Sequence, residues 1–516
     1  MRTKRRDMLT VAALIILVLF LGAGLLNRGH EWGDDFAAYM MQARAIANGT
    51  MEEQGYINRV IHASRMDFSN EGIPDTVTYV WGYPLVLSVL YKAVGFNFGN
   101  GIPILYKLPN LIAYALFIAA AFLFYRRRFP YVLSLFLSLL MALNTEMVKE
   151  TNVLMTDIPC LALSMISLLL MESFLECNGE KRKIILGAAL GTVLWYNYEV
   201  RLNGVTVILI VLMGHAIHLM RTWFETRKKW VHAVPYAVFL VLLMISMWML
   251  PVATSNSAHI ASGPRAQMIY NIGFYKGMID NWFYGMIPTI FPFRREILWS
   301  IYVLIAIGII CSGIYRNLHL TTLLIGTFGV LLLLPYVQSL RYAFNALPLL
   351  LLFAGYGLKK VCGMLNGKIK KTARMAVRCA GYAVMMFVVC GLFSNMLGQI
   401  AVNQELGGKS YRFGAYSDDA LDIYAYIREN TAEEAKIACC KPRALMLNTD
   451  RVCYVPGING NLYKDMDYLL TFEKDMPYDG VADSIWPELW EELTPIYRND
   501  TFTLYELSDA YKSGTS

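Results

Sequence analysis

Charge is scarce in this chain. Asp, Glu, Lys and Arg make up 16% of its 516 residues, against about a quarter in soluble globular proteins. That scarcity excludes an ordinary soluble fold, and a 56% hydrophobic content with mean hydropathy +0.42 points to a polytopic membrane protein. No CxxC pair and no Cys/His metal spacing occurs, so a zinc or redox motif has no support. The nine cysteines are too scattered for a disulfide framework. Six lie in or beside apolar runs, and of Cys439, Cys440 and Cys453 one disulfide is possible but not implied. An internal repeat, common in transporters, is also missing. The net charge of +7 is spread over many short loops, which argues against a nucleic-acid partner.

What is present is a series of long apolar runs. The first, Met8 to Leu26, follows the basic Arg2-Thr-Lys-Arg-Arg6 and can cross roughly 30 Å of hydrocarbon. No Ala-x-Ala-like site follows it, so it reads as a retained span. Others fall near 103–125, 130–148, 153–175, 184–200, 202–220, 231–252, 297–315, 319–338, 342–358 and 379–400, about eleven spans in total. The clusters Arg126-Arg-Arg128, Lys181-Arg-Lys183, Arg227-Lys-Lys229 and Lys359 to Arg378 fall on the same side as the N-terminus, which makes that side cytoplasmic. Segments 28–102 and 253–296 and the tail are then outside. The reading is a membrane domain over 1–400, with a first outer loop at 28–102, and an exterior α/β domain over 401–516. In that domain a helix is expected at Ser417–Asn430, capped by Asp418 or Asp419, with β-like runs at Lys436–Cys440, Val452–Pro456 and Phe502–Leu507.

Chemistry concentrates on the outer side. After Glu31-Trp-Gly-Asp34-Asp35, apolar residues recur at three and four positions to Asn48-Gly49, an amphipathic helix expected to lie on the membrane surface or the bundle. Asp34 and Asp35 sit at its N-terminus, where they serve either as caps or as functional carboxylates. Tyr79-Val-Trp81-Gly-Tyr83-Pro84 opens a second short helix. Asp157 stands at the start of a span, again a cap or a functional acid, with Glu146, Lys149 and Glu150 nearby. Arg201 marks an outward turn and Arg341-Tyr342 another, where an arginine either snorkels or binds phosphate bidentately. Carboxylates at the mouth of a helical bundle are expensive to keep there and usually serve ions, protons or substrate chemistry.

The same residues resemble the GT-C superfamily of integral-membrane glycosyltransferases, in particular the protein O-mannosyltransferase and lipid A aminoarabinose transferase-like group, glycosyltransferase family 39. The likeness rests on Asp34-Asp35 with Tyr39, Ala43-Arg44 and Gly49; on Trp81-Gly-Tyr-Pro84; on Asp157; on Arg341-Tyr-Ala-Phe-Asn-Ala-Leu-Pro348; and on Ala425-Tyr-Ile-Arg-Glu-Asn-Thr431 with Lys441-Pro-Arg443. It spans essentially the whole chain. Members often carry Asp-Glu, whereas Asp35 is followed by Phe36 and preceded by the extra acid.

The resemblance implies a GT-C fold in a plasma membrane and inverting sugar transfer from a polyprenyl-phosphate donor to a glycan, lipid or protein acceptor. Asp35 would be the base or acceptor-orienting group, with Asp34 beside it and Asp157 as second carboxylate. Arg201 and Arg341 would hold the donor phosphate, with Tyr39, Trp81, Tyr83 and Tyr342 lining the substrate. Some relatives use a divalent metal ion, for which Asp35 and Asp157 are the candidate ligands; no other cofactor is implied. The competing readings are a transporter or flippase of a lipid-linked or anionic solute, and a non-catalytic scaffold.

Overall fold

The structure, a computed structural model, describes residues 2–64, 79–95, 101–222, 229–250, 265–313, 317–333, 339–368, 371–405, 414–454, 466–472 and 493–507. Helices occupy all eleven positions read as spans: α1 (Arg2–Leu25), α5 (Leu108–Arg126), α6 (Tyr131–Ala142) with α7 (Thr145–Lys149), α8 (Asp157–Glu176), α9 (Glu180–Val200), α10 (Gly204–Thr222), α11 (Val234–Met249), α13 (Arg294–Cys311), α14 (Leu318–Leu333), α15 (Leu347–Lys368) and α16 (Lys371–Glu405). Seven are long and apolar enough to cross a membrane, eight if α6 and α7 form one span. The others are short, as with the 16 residues of α14, or open on charges, as with Arg294-Arg-Glu296 in α13 and Glu180-Lys-Arg-Lys183 in α9. The chain is a multi-pass helical membrane protein with a small sheet near its C-terminus.

The run 130–148 is broken between α6 and α7 with a 53° bend, because the Asn144 side chain accepts the Met147 N–H and starts a new helix there. Segment 253–296 contains a helix, α12 (Arg265–Tyr284), and its residues 253–264 lie outside the described residues. The last part of 319–338, residues 334–338, lies outside them as well.

The bundle core is continuous from Leu14 and Val18 of α1 through Tyr114–Tyr125 of α5 to Leu347–Phe353 of α15. The tightest crossing joins α13 to α15. A Cβ at Gly308 would fall 1.7 Å from the Phe353 carbonyl oxygen, and one at Gly357 would fall 2.0 Å from that of Leu304. Only glycine lets these two backbones touch, the small-residue packing that serves helices in lipid.

The first loop carries α2 (Asp34–Asn48), α3 (Met51–Ser64) and α4 (Gly82–Val94). As read, α2 ends at Gly49, whose φ of 76° forms a left-handed cap. It does not lie on a surface: Phe36 to Ala43 are all buried. The alanines at 37, 38, 43 and 45 keep the helix thin, and the C-terminal unit covers the face that would otherwise meet solvent.

That unit begins within the described residues at 414, and α16 runs past 400 to Glu405. It holds α17 (Asp418–Asn430), β1 (Lys436–Ala438), α18 (Pro442–Thr449), β2 (Val452–Tyr454), β3 (Tyr468–Phe472), β4 (Thr494–Arg498) and β5 (Phe502–Glu506). Strand order is β2-β1-β3-β5-β4, with β2, β1 and β3 parallel and β5 antiparallel to β3 and β4. The cap of α17 is Ser417, whose hydroxyl accepts the Ala420 N–H at 3.3 Å, and neither Asp418 nor Asp419 fills that place. Residues 455 and 456 of the expected Val452–Pro456 strand lie outside the described residues. All nine cysteines are free.

Candidate active site

Five pieces of chain converge on one cleft: the first turn of α2, the segment 79–83, the start of α8, the α9–α10 turn, and the turn 340–343 before α15. Each is a helix end or a short turn, so each side chain is aimed by a rigid element while its backbone stays near the bundle rim.

Asp35 is one-third exposed and faces the cleft. The Tyr79 hydroxyl donates a short hydrogen bond to its Oδ1, and the Arg341 guanidinium stands 3.4 Å from Oδ2. Burial, reinforced by the Asp35 charge, holds the Tyr79 phenol well above its ordinary pKa, so it remains a neutral donor. Asp157 is almost fully buried as the first residue of α8 and pairs with Arg201 at 2.8 Å. Arg201 also donates to the Thr156 hydroxyl at 3.0 Å, which in turn lies 3.2 Å from the Tyr39 hydroxyl. The two arginines flank one ring, with Arg201 4.9 Å and Arg341 5.6 Å from the centre of Tyr342. Both carboxylates bear electrostatically on Arg341, so the two acid–arginine pairs form one charged network.

Tyr39 is the hub of the aromatic wall. Its ring lies 4.4 Å from Tyr79 and meets Tyr83 edge-on at 5.4 Å. Trp81 is buried just ahead of α4 and packs that wall against the end of α9, where the Tyr196 hydroxyl donates to the Gly82 carbonyl. Glu31 sits at the rim, its pKa pushed up by desolvation and further by Asp157 and Asp35, with Arg341 opposing. Arg341 is also the door to a cavity of about 1210 Å³ framed by α7, the α12–α13 connection and α16. Lys149, Glu150 and Arg294 line that cavity together with the apolar Phe387, Leu392 and Val402.

The structure therefore brings together eight of the nine residues singled out in sequence: Asp35, Asp157, Arg201, Arg341, Tyr342, Tyr39, Trp81 and Tyr83. It turns Asp34 away. That carboxylate is buried against the C-terminal unit, accepting the Arg443 N–H at 3.0 Å, the Ala444 N–H at 3.3 Å and the Arg443 guanidinium at 3.1 Å. An N-terminal helix residue and its neighbour point about 100° apart, which is why adjacent acids separate so completely.

Four contributors were missed in sequence. Tyr79 opens the Tyr-Val-Trp-Gly-Tyr-Pro segment, Thr156 directly precedes Asp157, and Glu31 leads the Glu-Trp-Gly-Asp-Asp run; proximity to the chosen residues was their only signal. Arg443 carried none beyond its place in Lys441-Pro-Arg443.

For a divalent metal the donor set is a poor fit. Asp35 and Asp157 already pair with Arg341 and Arg201, and among the described residues no group of three His, Cys, Asp or Glu side chains could hold a metal.

Residues 88–248, which include Asp157 and Arg201, match the family model described as dolichyl-phosphate-mannose-protein mannosyltransferase. No curated protein matches the chain. Among solved structures, ArnT from Cupriavidus metallidurans bound to undecaprenyl phosphate superposes with a TM-score of 0.56 at 12% identity, over 98% of both chains. The Archaeoglobus fulgidus oligosaccharyltransferase in its apo form superposes with a TM-score of 0.54 at 11% identity, over 90% of this chain and 69% of that one. The same archaeal enzyme in complex with an inhibitory peptide and a dolichol-phosphate gives 0.50 at 10% identity. The resemblance read from the sequence thus holds in the fold, and in a family match over residues 88–248, within the N-terminal half of the chain.

Proposed function

We propose that the chain is an inverting glycosyltransferase that takes a sugar from a polyprenyl-phosphate carrier. The observation that carries this reading is the position of Arg341, which touches Asp35 on one side and lines the large cavity on the other. A carrier phosphate at Arg341, with its prenyl chain along the apolar side chains of the cavity, would present the sugar's anomeric carbon to Asp35. The match to a mannosyltransferase family and the carriers bound by the structural neighbours, undecaprenyl phosphate and dolichol-phosphate, support a lipid-linked donor.

In this mechanism Asp35 takes the proton of the acceptor hydroxyl, whose oxygen attacks the anomeric carbon from the face opposite the phosphate. The carbon–oxygen bond to phosphate breaks as the new one forms, which inverts the configuration. The electron pair leaves on the phosphate, and Arg341 with Arg201 stabilises the growing negative charge. Asp157 fixes Arg201 in the cleft, and Tyr79 fixes Asp35. The two guanidinium groups supply the positive charge opposite the leaving phosphate. The basic-loop pattern supports a cytoplasmic N-terminus, which puts the cleft and the C-terminal unit on the outer side of a plasma membrane. There the acceptor, a glycan, lipid or protein, is met.

The test is transfer of radiolabel from a panel of polyprenyl-phosphate sugars in proteoliposomes, with membrane extract as acceptor. Label leaving one donor for the extract is expected. Folded protein that neither transfers nor hydrolyses any donor would contradict the reading.

A further inference from the structure

At the opposite end of the bundle lies a second cavity of about 700 Å³ that the sugar-transfer reading does not use. The 19 residues of α5 separate the two ends, about 28 Å at 1.5 Å per residue. Near its start Asn110 donates to the carbonyls of Val153 and Met155 beneath the cleft, and at its finish Arg127 and Arg128 enter the second cavity. The same geometry holds for α15, which begins just after Arg341 and delivers Lys359 and Lys360 to the cavity wall. Ser312, at the end of α13, and Tyr356 add hydroxyls.

Four cations line this space, and among the described residues no carboxylate does. Arg128 is held by Glu172 and by the Phe124 carbonyl at 2.9 Å, and its face lies over the Phe124 ring. Arg127 reaches Glu172 at 3.4 Å and Glu176 at 3.5 Å. These acids stand behind the arginines and fix them in place. The lysines are different. Lys359 donates only to the Arg128 carbonyl at 3.3 Å, and among the described residues neither lysine has a carboxylate partner. Four like charges gathered around one opening repel one another unless an anion joins them. The floor is also rigid, since Gly308 and Gly357 lock α13 to α15 by backbone contact directly above Ser312 and Tyr356.

We infer that this cavity binds a phosphate-bearing anion, and that its occupant is the headgroup of an anionic phospholipid in the leaflet on that side. Basic pockets between membrane helices suit such headgroups. The apolar Met364 at the rim offers a surface for the first acyl methylenes. The site is independent of sugar transfer, and its orientation alone rests on the proposed topology.

The experiment uses the full chain in nanodiscs of phosphatidylcholine doped with phosphatidylglycerol, read by native mass spectrometry for retained lipid and by thermal unfolding. Wild type should retain phosphatidylglycerol and unfold at a higher temperature than in phosphatidylcholine alone. The double variant Lys359→Gln/Lys360→Gln, at two exposed positions, should bind that lipid roughly thirty-fold more weakly. A control pair on the same face but outside the cavity, Lys181→Gln/Arg182→Gln, should behave as wild type. Inorganic pyrophosphate is the second probe: a shift with pyrophosphate equal to that with lipid would replace the headgroup by a soluble anion in the same site. Equal loss in both double variants, or no preference of wild type for either probe, would overturn the site. Because neither readout involves sugar, its failure and the failure of the transferase reading are separable.

Discussion

Asp34 caps a helix that lies 409 positions further along the chain: its Oδ1 accepts the Arg443 N–H at 3.0 Å while its Oδ2 meets the Arg443 guanidinium at 3.1 Å. Helix α18 begins at Pro442 with no side-chain cap of its own, so an acid from the first loop supplies the missing acceptor. The next residue, Asp35, faces the cleft. One peptide bond thus joins the dock of the C-terminal unit to the proposed base, and the unit acts as a brace for the site.

Breaking that pair should be costly because both partners are buried. Arg443→Ala and Asp34→Ala are each expected to destabilise the docked unit by about 3–5 kcal/mol, and the double variant by much less than their sum. Thermal unfolding of the four proteins checks this. Additive losses would mean that the two residues act separately.

The crossing of α13 and α15 should tolerate nothing larger than glycine. Gly308→Ala is expected to lower the unfolding temperature of the purified protein, since the added methyl would fall 1.7 Å from the Phe353 oxygen. Gly326→Ala, in open space on α14, is the comparison and should leave it unchanged.

His30 makes stability depend on pH. Its Nε2 accepts the Leu154 N–H at 2.9 Å, so its Nδ1 carries the proton toward the Glu31 carbonyl. Burial first, and Lys107 second, push its pKa from 6.5 down to about 3. A depressed pKa means that the folded state refuses a proton which the unfolded chain accepts. The contribution is therefore full above pH 6.5 and is lost as pH falls from there through about 3. A titration of unfolding temperature across that window should fall less steeply for His30→Gln than for wild type.

Much of this architecture could be read from composition and spacing. All eleven helical segments followed from apolar runs, and Gly49 stopped α2 where the periodicity placed it. The failures have physical causes. The amphipathic pattern of α2 gave it a polar face, but that face is covered by residues almost 400 positions away, which no local period reports. Strands β3 and β4 are five residues each and take their partners from β5 and β1, so their own sequences carry little signal. Periodicity gave Asp34 and Asp35 the same place at the start of α2 and only the resemblance preferred Asp35 as the base; the position of Arg443 is what turns Asp34 away. Tyr79 was invisible as a partner of Asp35 because it stands 44 positions further along the chain, beyond α2 and α3.

Asp157 and Arg201 should be interdependent. Asp157→Asn leaves a guanidinium buried beside a neutral amide, so transfer is expected to fall by about 10²-fold or more, with Arg201→Gln similar and the double variant no worse than either. Chelation with EDTA should leave transfer by the wild type unchanged, because arginines hold both carboxylates. Activity lost with EDTA and restored by added magnesium would contradict that assignment.

The most direct measurement is single-turnover transfer from the preferred polyprenyl-phosphate sugar by wild type, Asp35→Asn and Asp34→Asn, each shown to be folded. Asp35→Asn should transfer about 10²–10⁴-fold more slowly, the range for loss of a general base, with donor binding retained through Arg341. Asp34→Asn should keep most of its rate in whatever fraction remains docked. Equal rates for wild type and Asp35→Asn, or a greater loss of rate in docked Asp34→Asn than in Asp35→Asn, would contradict the account.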